Sequence, residues 1–92
     1  MDNRIVTRKS ELLEAEVDGE LVALNVASGT CYGFNATATR VWAMLEEPKS
    51  TVALRDALLR EFDIDQATCE QQLRGLLEDL ERDGLVEVSA AA

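Results

Sequence analysis

The chain has 92 residues, of which 47% are hydrophobic and 4% aromatic; it contains no histidine, and its formal net charge is −9. This length suits one small domain and leaves no room for a catalytic domain beside a separate scaffold. The negative charge argues against nucleic acid and anionic membrane surfaces as partners, because binding to a phosphate backbone depends on Lys and Arg. The lack of histidine removes the commonest general base at neutral pH.

The two cysteines, Cys31 and Cys69, do not form a C-x-x-C pair, and no histidine completes a zinc set. The sequence shows no signal peptide and no apolar run long enough to span a bilayer. Although the spacing of the two cysteines does not exclude a disulfide between them, we expect two reduced thiols in a cytoplasmic protein. We expect neither a metal nor a cofactor.

The first elements in chain order are an arm and a hairpin. Residues 1–10 are polar without a sustained period and are interpreted as a flexible N-terminal arm. Residues 12–17 and 20–26 are apolar-rich runs that flank Asp18-Gly19. This dipeptide predicts a hairpin, because a type I′ turn needs positive φ at both central positions.

A third strand is predicted over residues 30–34, after a turn that contains Gly29. Three short strands joined by tight turns form an antiparallel meander whose first and third strands are edges. Gly33 within the third strand indicates either a close approach by another backbone or a packing glycine, and the sequence favours neither.

Three helices follow, each preceded by a residue whose side chain suits an N-cap: Asn35, Ser50 and Asp65. The predicted helices are 36–47, 51–62 and 66–82, with a short closing strand at 85–88 and a disordered tail at 89–92. In the first helix, helical spacing predicts that Ala38, Val41, Trp42 and Leu45 lie in the core.

The element order predicts an α+β domain over residues 11–88 with a winged helix-turn-helix-like topology: a three-stranded antiparallel β-meander followed by three α-helices. In such folds the recognition helix normally carries basic and amide side chains to DNA. The corresponding third helix here has Arg74 and Arg82 against four carboxylates and would repel a duplex. Because one fold can serve several functions, the function must be inferred from the residues of the binding site.

No catalytic site is predicted. The paired carboxylates fall on faces expected to be solvated, Cys31 has no histidine to activate it, and no phosphate-binding or nucleophile-elbow motif occurs. The exposed edge of the third strand remains, because an extended peptide can pair with such an edge while the third helix forms the opposite wall of a groove. A structural or dimerisation role that covers the same edge fits the residues equally well.

Residues 26–45 resemble the signature of PqqD-like proteins, the RiPP recognition elements. The shared features are a turn glycine at Gly29, Tyr32 within a strand, a Phe34-Asn35 step, small residues, and an aliphatic-Trp pair that ends at Trp42. Residues 62–65 and 76–86 also resemble the family, so that the resemblance covers about residues 12–88.

The resemblance implies a winged helix-turn-helix domain that binds the leader segment of a ribosomally made precursor peptide. The leader would add as a strand to the third strand and pack against the third helix. The domain would then deliver the precursor to a processing enzyme: a radical SAM maturase in quinone cofactor synthesis, or a leader peptidase and cyclase in lasso peptide synthesis. The pattern around Tyr32 is more similar to the stand-alone lasso type.

The expected peptide-binding residues are Thr30, Cys31, Tyr32, Gly33, Phe34, Glu70, Leu73, Arg74 and Leu77. The strand residues would pair through their backbones, and Gly33 would let the leader approach. The four helix residues follow from helical spacing alone, and Leu73 and Leu77 fit the core equally well. A peptide chaperone for a radical SAM enzyme, a winged-helix transcriptional regulator and a dimerising scaffold are the alternatives, and the oligomeric state stays open.

Overall fold

The computed structural model describes residues 1–90. Its elements are β1 (Arg4–Arg8), β2 (Leu13–Val17), β3 (Glu20–Asn25), β4 (Thr30–Phe34), α1 (Ala36–Met44), β5 (Lys49–Ser50), α2 (Thr51–Glu61), α3 (Gln66–Arg82) and β6 (Val86–Ala90). The predicted α+β class, with a meander followed by three helices, is confirmed.

The meander is one antiparallel sheet in the order β2-β3-β4. Its first turn has φ values of 53° at Asp18 and 81° at Gly19, as a type I′ hairpin requires. The third strand continues through Asn35 directly into α1. This continuity fixes the edge strand relative to the helices.

The flexible arm predicted for residues 1–10 is wrong for most of its length, because β1 is the central strand of a second sheet in the order β5-β1-β6. It pairs with β6 from Arg4 opposite Ala90 to Arg8 opposite Val86. Ser89 and Ala90 therefore belong to a strand and not to a disordered tail. The rest of the predicted tail, residues 91–92, lies outside the described residues.

The three predicted N-caps are all confirmed. The Asn35 side chain accepts a hydrogen bond from the backbone N–H of Ala38, Ser50 from that of Ala53 and Asp65 from that of Thr68. Each bond satisfies one of the first N–H groups of a helix, which have no partner within the helix itself. The helix α1 ends at Met44 rather than near residue 47, and the chain then reaches β5, which pairs with β1.

The core lies between the inner face of the meander, the helices and β1. Trp42 is 1% exposed, and Ala38, Val41 and Leu45 are buried beside it, as the helical spacing predicts. Leu21, Ala23 and Phe34 cover the inner face of the meander, while Leu54, Leu58, Leu73, Leu77 and Leu80 come from α2 and α3.

The other face of the meander is apolar but uncovered. Cross-strand pairing places Leu13 opposite Leu24, Ala15 opposite Val22, and Leu24 opposite Cys31, so that these side chains share one face. We name Leu13, Ala15, Val17, Val22, Leu24 and Cys31 the outer face. Leu13 is 63% exposed, Val17 57% and Val22 47%.

Candidate functional site

The strand β4 has a free edge. It pairs with β3 along its whole length, from Asn25 opposite Thr30 to Leu21 opposite Phe34, and no other strand of residues 1–90 pairs with its second side. In an antiparallel strand, alternate residues direct their backbone N–H and C=O groups away from the paired neighbour. The free edge of β4 therefore presents donors and acceptors to an incoming strand.

A groove of about 700 Å³ runs between this edge and α3. We name it the β4–α3 groove. On one side it is lined by Cys31, Tyr32, Gly33, Phe34, Asn35, Thr37 and Ala38, and on the other by Gln71, Gln72, Gly75, Leu76, Asp79, Leu80 and Asp83. The buried members Phe34, Ala38 and Leu80 give it apolar surface, while amides and carboxylates from α3 supply polar groups.

The structure brings four of the five predicted strand residues into the groove, namely residues 31–34. Thr30 begins β4 but does not line the groove. Tyr32 is half-buried against the core, with its ring centroid 6.4 Å from that of Phe34. The two aromatic rings on the inner side of β4 are thus held by packing, while its backbone edge stays open.

The predicted helix wall does not coincide with this groove, because Glu70, Leu73, Arg74 and Leu77 do not line it. Their part in peptide binding stays a prediction. Leu73 and Leu77 are buried in the core. Arg74 and Leu77 line a different cavity of about 500 Å³ that includes Arg4.

Glu70 lies instead against α2, where its Oε2 is 3.4 Å from Nη1 of Arg55. The side chain of Gln66 donates a hydrogen bond to Glu70, and this bond, together with the nearby positive charges, lowers the pKa of Glu70.

The residues of α3 and its C-cap that line the groove lie beside the apolar stripe or at its margin: Gln71, Gln72, Gly75, Leu76, Asp79, Leu80 and Asp83. The sequence-based choice followed helical spacing through Leu73 and Leu77, and the fold buries both of these leucines. Two sequence features could have indicated which side of α3 lines the groove: Leu76, a leucine beside the buried stripe, and the glycine at position 75.

Gly75 is an exposed glycine in the interior of a 17-residue helix. Glycine at such a position costs about 1 kcal/mol of stability relative to alanine, because the unfolded chain loses more backbone freedom on folding. A Cβ at Gly75 would meet no atom of residues 1–90 within 4 Å apart from its chain neighbours and the adjoining backbone of its own helix, and a Cβ at Gly33 would meet none apart from its chain neighbours. The fold itself therefore leaves both positions open.

The charged side chains of the β4–α3 groove are acidic. Asp79 and Asp83 lie toward the C-terminal end of α3, and Arg82 is 3.1 Å from Asp79. The described part of the chain holds no group of three or more acidic or cysteine side chains placed to bind a metal ion. Cys31 is an exposed free thiol, and Cys69 is buried, which raises its pKa.

No helix within residues 1–90 has the length and apolar character needed to cross a bilayer. No curated protein sequence matches the chain significantly.

Two solved structures have this fold. The first, TbiB1 in complex with the TbiA(beta) leader peptide, has a TM-score of 0.77 and 33% sequence identity, and the match covers 88% of this chain and 94% of TbiB1. The second is a lasso peptide synthetase B1 complexed with the leader peptide, with a TM-score of 0.74 and 22% identity over 89% of this chain and 96% of that one.

A family model, described as coenzyme PQQ synthesis protein D (PqqD), matches residues 20–86, which include the whole β4–α3 groove. The match spans most of the chain and agrees with the signature around Gly29, Tyr32 and Trp42. The chain therefore belongs to the PqqD family.

Proposed function

We propose that this chain is a non-catalytic module that binds the leader segment of a ribosomally synthesised precursor peptide. The leader adds to β4 as a fourth strand of the meander and lies in the β4–α3 groove. The observation that carries this proposal is the free edge of β4 facing α3 across an open groove. Backbone pairing supplies affinity in this mode of recognition, and side-chain contacts with the groove supply specificity.

The relatives support this proposal. TbiB1, at 33% identity, has been solved in complex with a leader peptide. The apolar surface of Phe34, Ala38 and Leu80 gives the inward side chains of an added strand a place to pack, and the rim amides Gln71 and Gln72 can bond to the polar groups of the peptide.

The module delivers the bound precursor to a processing enzyme, and we assign it to the lasso type, whose enzymes are a leader peptidase and a cyclase. Delivery needs a second surface that stays free while the leader is bound. The outer face meets this need, because it is apolar, exposed and continuous with β4 through Cys31. Exposed apolar patches of this kind are typical of protein-binding surfaces.

A second candidate is the delivery of a leader to a radical SAM maturase, which the description of the matching family model favours. Both candidates use the same groove and differ in the enzyme that the outer face binds. Reconstitution separates them: the chain should accelerate leader removal by a lasso-type peptidase in the first case and peptide modification by a radical SAM enzyme in the second.

The direct test of leader binding is an amide NMR titration of the ¹⁵N-labelled chain with the synthetic leader of the precursor peptide encoded in the same gene cluster. We expect shifts at residues 31–34 and at Gln72, Gly75 and Asp79, with little change at Glu78 on the other side of α3. A scrambled peptide of the same composition is the control. If the leader causes no shifts at millimolar concentration, or the same shifts as the scrambled peptide, the proposal is wrong.

A further inference from the structure

We propose that Gly75 is a specificity-determining residue, whose missing side chain leaves room in the β4–α3 groove for a large side chain of the bound peptide. The inference rests on the proposed function and names one feature of the ligand: an extended peptide with a large residue at the position that faces α3 beside Gly75. Residues with a Cβ at position 75 would select for smaller side chains.

The fold does not require glycine at this position. The helix α3 continues unbroken from Gln66 to Arg82, and Gly75 is not among the glycines with positive φ, which are Gly19, Gly29 and Gly84. Apart from the adjoining residues of its own helix, a Cβ at position 75 would meet no atom within 4 Å in the described part of the chain. Alanine would therefore fit the unbound protein and favour the helix, so that glycine here works against stability without a compensating contact.

The location of Gly75 in the groove explains why glycine occupies this position. It lines the groove beside Leu76 and across from β4, where a strand added to the free edge would lie between β4 and α3. Alternate side chains of an extended peptide point to opposite faces of the sheet, so that one set points toward α3. The open space at Gly75 is therefore available to the ligand, and Leu80 and Phe34, which line the same groove, favour an apolar side chain.

The test measures stability and binding of the same variants. Gly75→Ala should raise the Tm by about 3 to 8 °C, because it removes the glycine penalty from a helix of a small domain. The same substitution should weaken binding of the synthetic leader at least about fivefold by calorimetry, since an added methyl group in a packed site is poorly tolerated. Gly75→Leu should weaken it further.

Glu78→Ala is the matched control, because Glu78 is an exposed α3 residue outside the groove. It should leave the affinity for the leader unchanged. An alanine scan of the leader then locates the facing residue. The leader variant in which that large residue is replaced by alanine should bind wild type and Gly75→Ala with equal affinity.

The outcomes distinguish this inference from the function on which it rests. If the wild-type chain binds the leader and Gly75→Ala binds it with equal affinity, Gly75 does not select the ligand and the inference is overturned. A lower Tm for Gly75→Ala would also overturn it, because the fold itself would then need the glycine. If the wild-type chain does not bind the leader, the proposed function fails first.

Discussion

Phe34 of β4 packs edge-on against Trp42 of α1, with the ring centroids 5.9 Å apart and the planes at 63°. Phe34 is 7% exposed and Trp42 1%. Aromatic pairs prefer this arrangement, because the positive edge of one ring meets the negative face of the other. The contact ties the strand that carries the free edge to the centre of the core, so that the edge is held in place before any peptide arrives.

Phe34→Ala should therefore lower the free energy of unfolding by about 3 to 5 kcal/mol, because it leaves a cavity beside Trp42. Phe34→Leu, which keeps most of the volume, should cost less than about 1.5 kcal/mol. Urea unfolding monitored by Trp42 fluorescence measures both. Cys31→Ala in the same strand is the control, since Cys31 is exposed. A loss below about 1 kcal/mol for Phe34→Ala would show that β4 is not anchored through this pair.

Arg8 joins the second sheet to the same tryptophan. Its guanidinium lies 4.1 Å from the Trp42 ring centroid and donates a hydrogen bond to the Trp42 carbonyl oxygen. Glu14 completes the group: its carboxylate accepts a 2.9 Å hydrogen bond from the indole N–H and lies 3.8 Å from Arg8. The Nε atom of Arg8 is buried and has no hydrogen-bond partner among residues 1–90, which reduces the net gain.

Arg8→Ala should destabilise the fold by about 1 to 2 kcal/mol, the range of a partly desolvated cation–π contact together with a charged hydrogen bond. Arg8→Lys should recover only part of this, because lysine lacks the planar fork. Arg4→Ala, which removes an exposed side chain from the same strand, should change stability by less than about 0.5 kcal/mol. Equal effects at the two positions in urea unfolding would contradict the assigned role of Arg8.

The sequence predicted the local features well, because they depend on neighbouring residues. Asp18-Gly19 fixes its hairpin through its own φ values, and Asn35, Ser50 and Asp65 cap helices within three residues of themselves. The second sheet was missed for the opposite reason: β1 is only five residues long, and its partner β6 lies at the other end of the chain. A short strand without a nearby partner gives no periodic signal strong enough to separate it from a loose arm.

The groove shows the same limit. The edge strand follows from strand order, which the turns specify, but the facing side of α3 depends on how the helix is rotated against the sheet. Apolar spacing identifies Leu73 and Leu77 as the buried stripe and cannot say which neighbouring side meets β4. Only the packed structure places Gly75 and Asp79 there, and Arg74 away from it.

The N-cap of α3 should make stability depend on pH. The hydrogen bond from the Thr68 hydroxyl, followed by that from the Thr68 backbone N–H, lowers the pKa of Asp65. A carboxylate whose pKa is lower in the folded state stabilises the fold above its unfolded pKa, and this stabilisation is lost as the pH falls through the folded pKa. Asp65→Asn keeps an oxygen acceptor but does not titrate.

The difference in Tm between wild type and Asp65→Asn should therefore shift in favour of Asp65→Asn as the pH is lowered from about 7 to about 2. At neutral pH, Asp65→Ala should have a lower Tm than either protein. Thermal melts by circular dichroism at a series of pH values measure the difference. A constant difference between wild type and Asp65→Asn over this range would show that the ionised cap adds nothing beyond its hydrogen bond.

The two thiols should differ in reactivity. Cys31 is exposed on the free-edge strand, whereas Cys69 is 1% exposed and its pKa is raised by burial. A thiol reagent such as DTNB should modify Cys31 at least about 100 times faster than Cys69 in the native protein, because the thiolate is the reactive form and Cys69 must first be exposed. Single Cys→Ala variants assign the two phases. Comparable rates for the two would contradict the packing of Cys69.

The outer face allows binding and delivery to be separated. Val22 is 47% exposed and its side chain points away from the core, so Val22→Lys should change the free energy of unfolding by less than about 0.5 kcal/mol. Its affinity for the leader should also stay within about twofold of wild type, because the groove is untouched.

Burying a lysine against an apolar partner is costly, so the acceleration of leader removal by the processing peptidase should fall about tenfold or more. Glu81→Gln, which raises the net charge by the same one unit on α3 away from this face, should keep that acceleration. Full acceleration by Val22→Lys and by Leu13→Lys would exclude the outer face as the delivery surface while leaving leader binding intact.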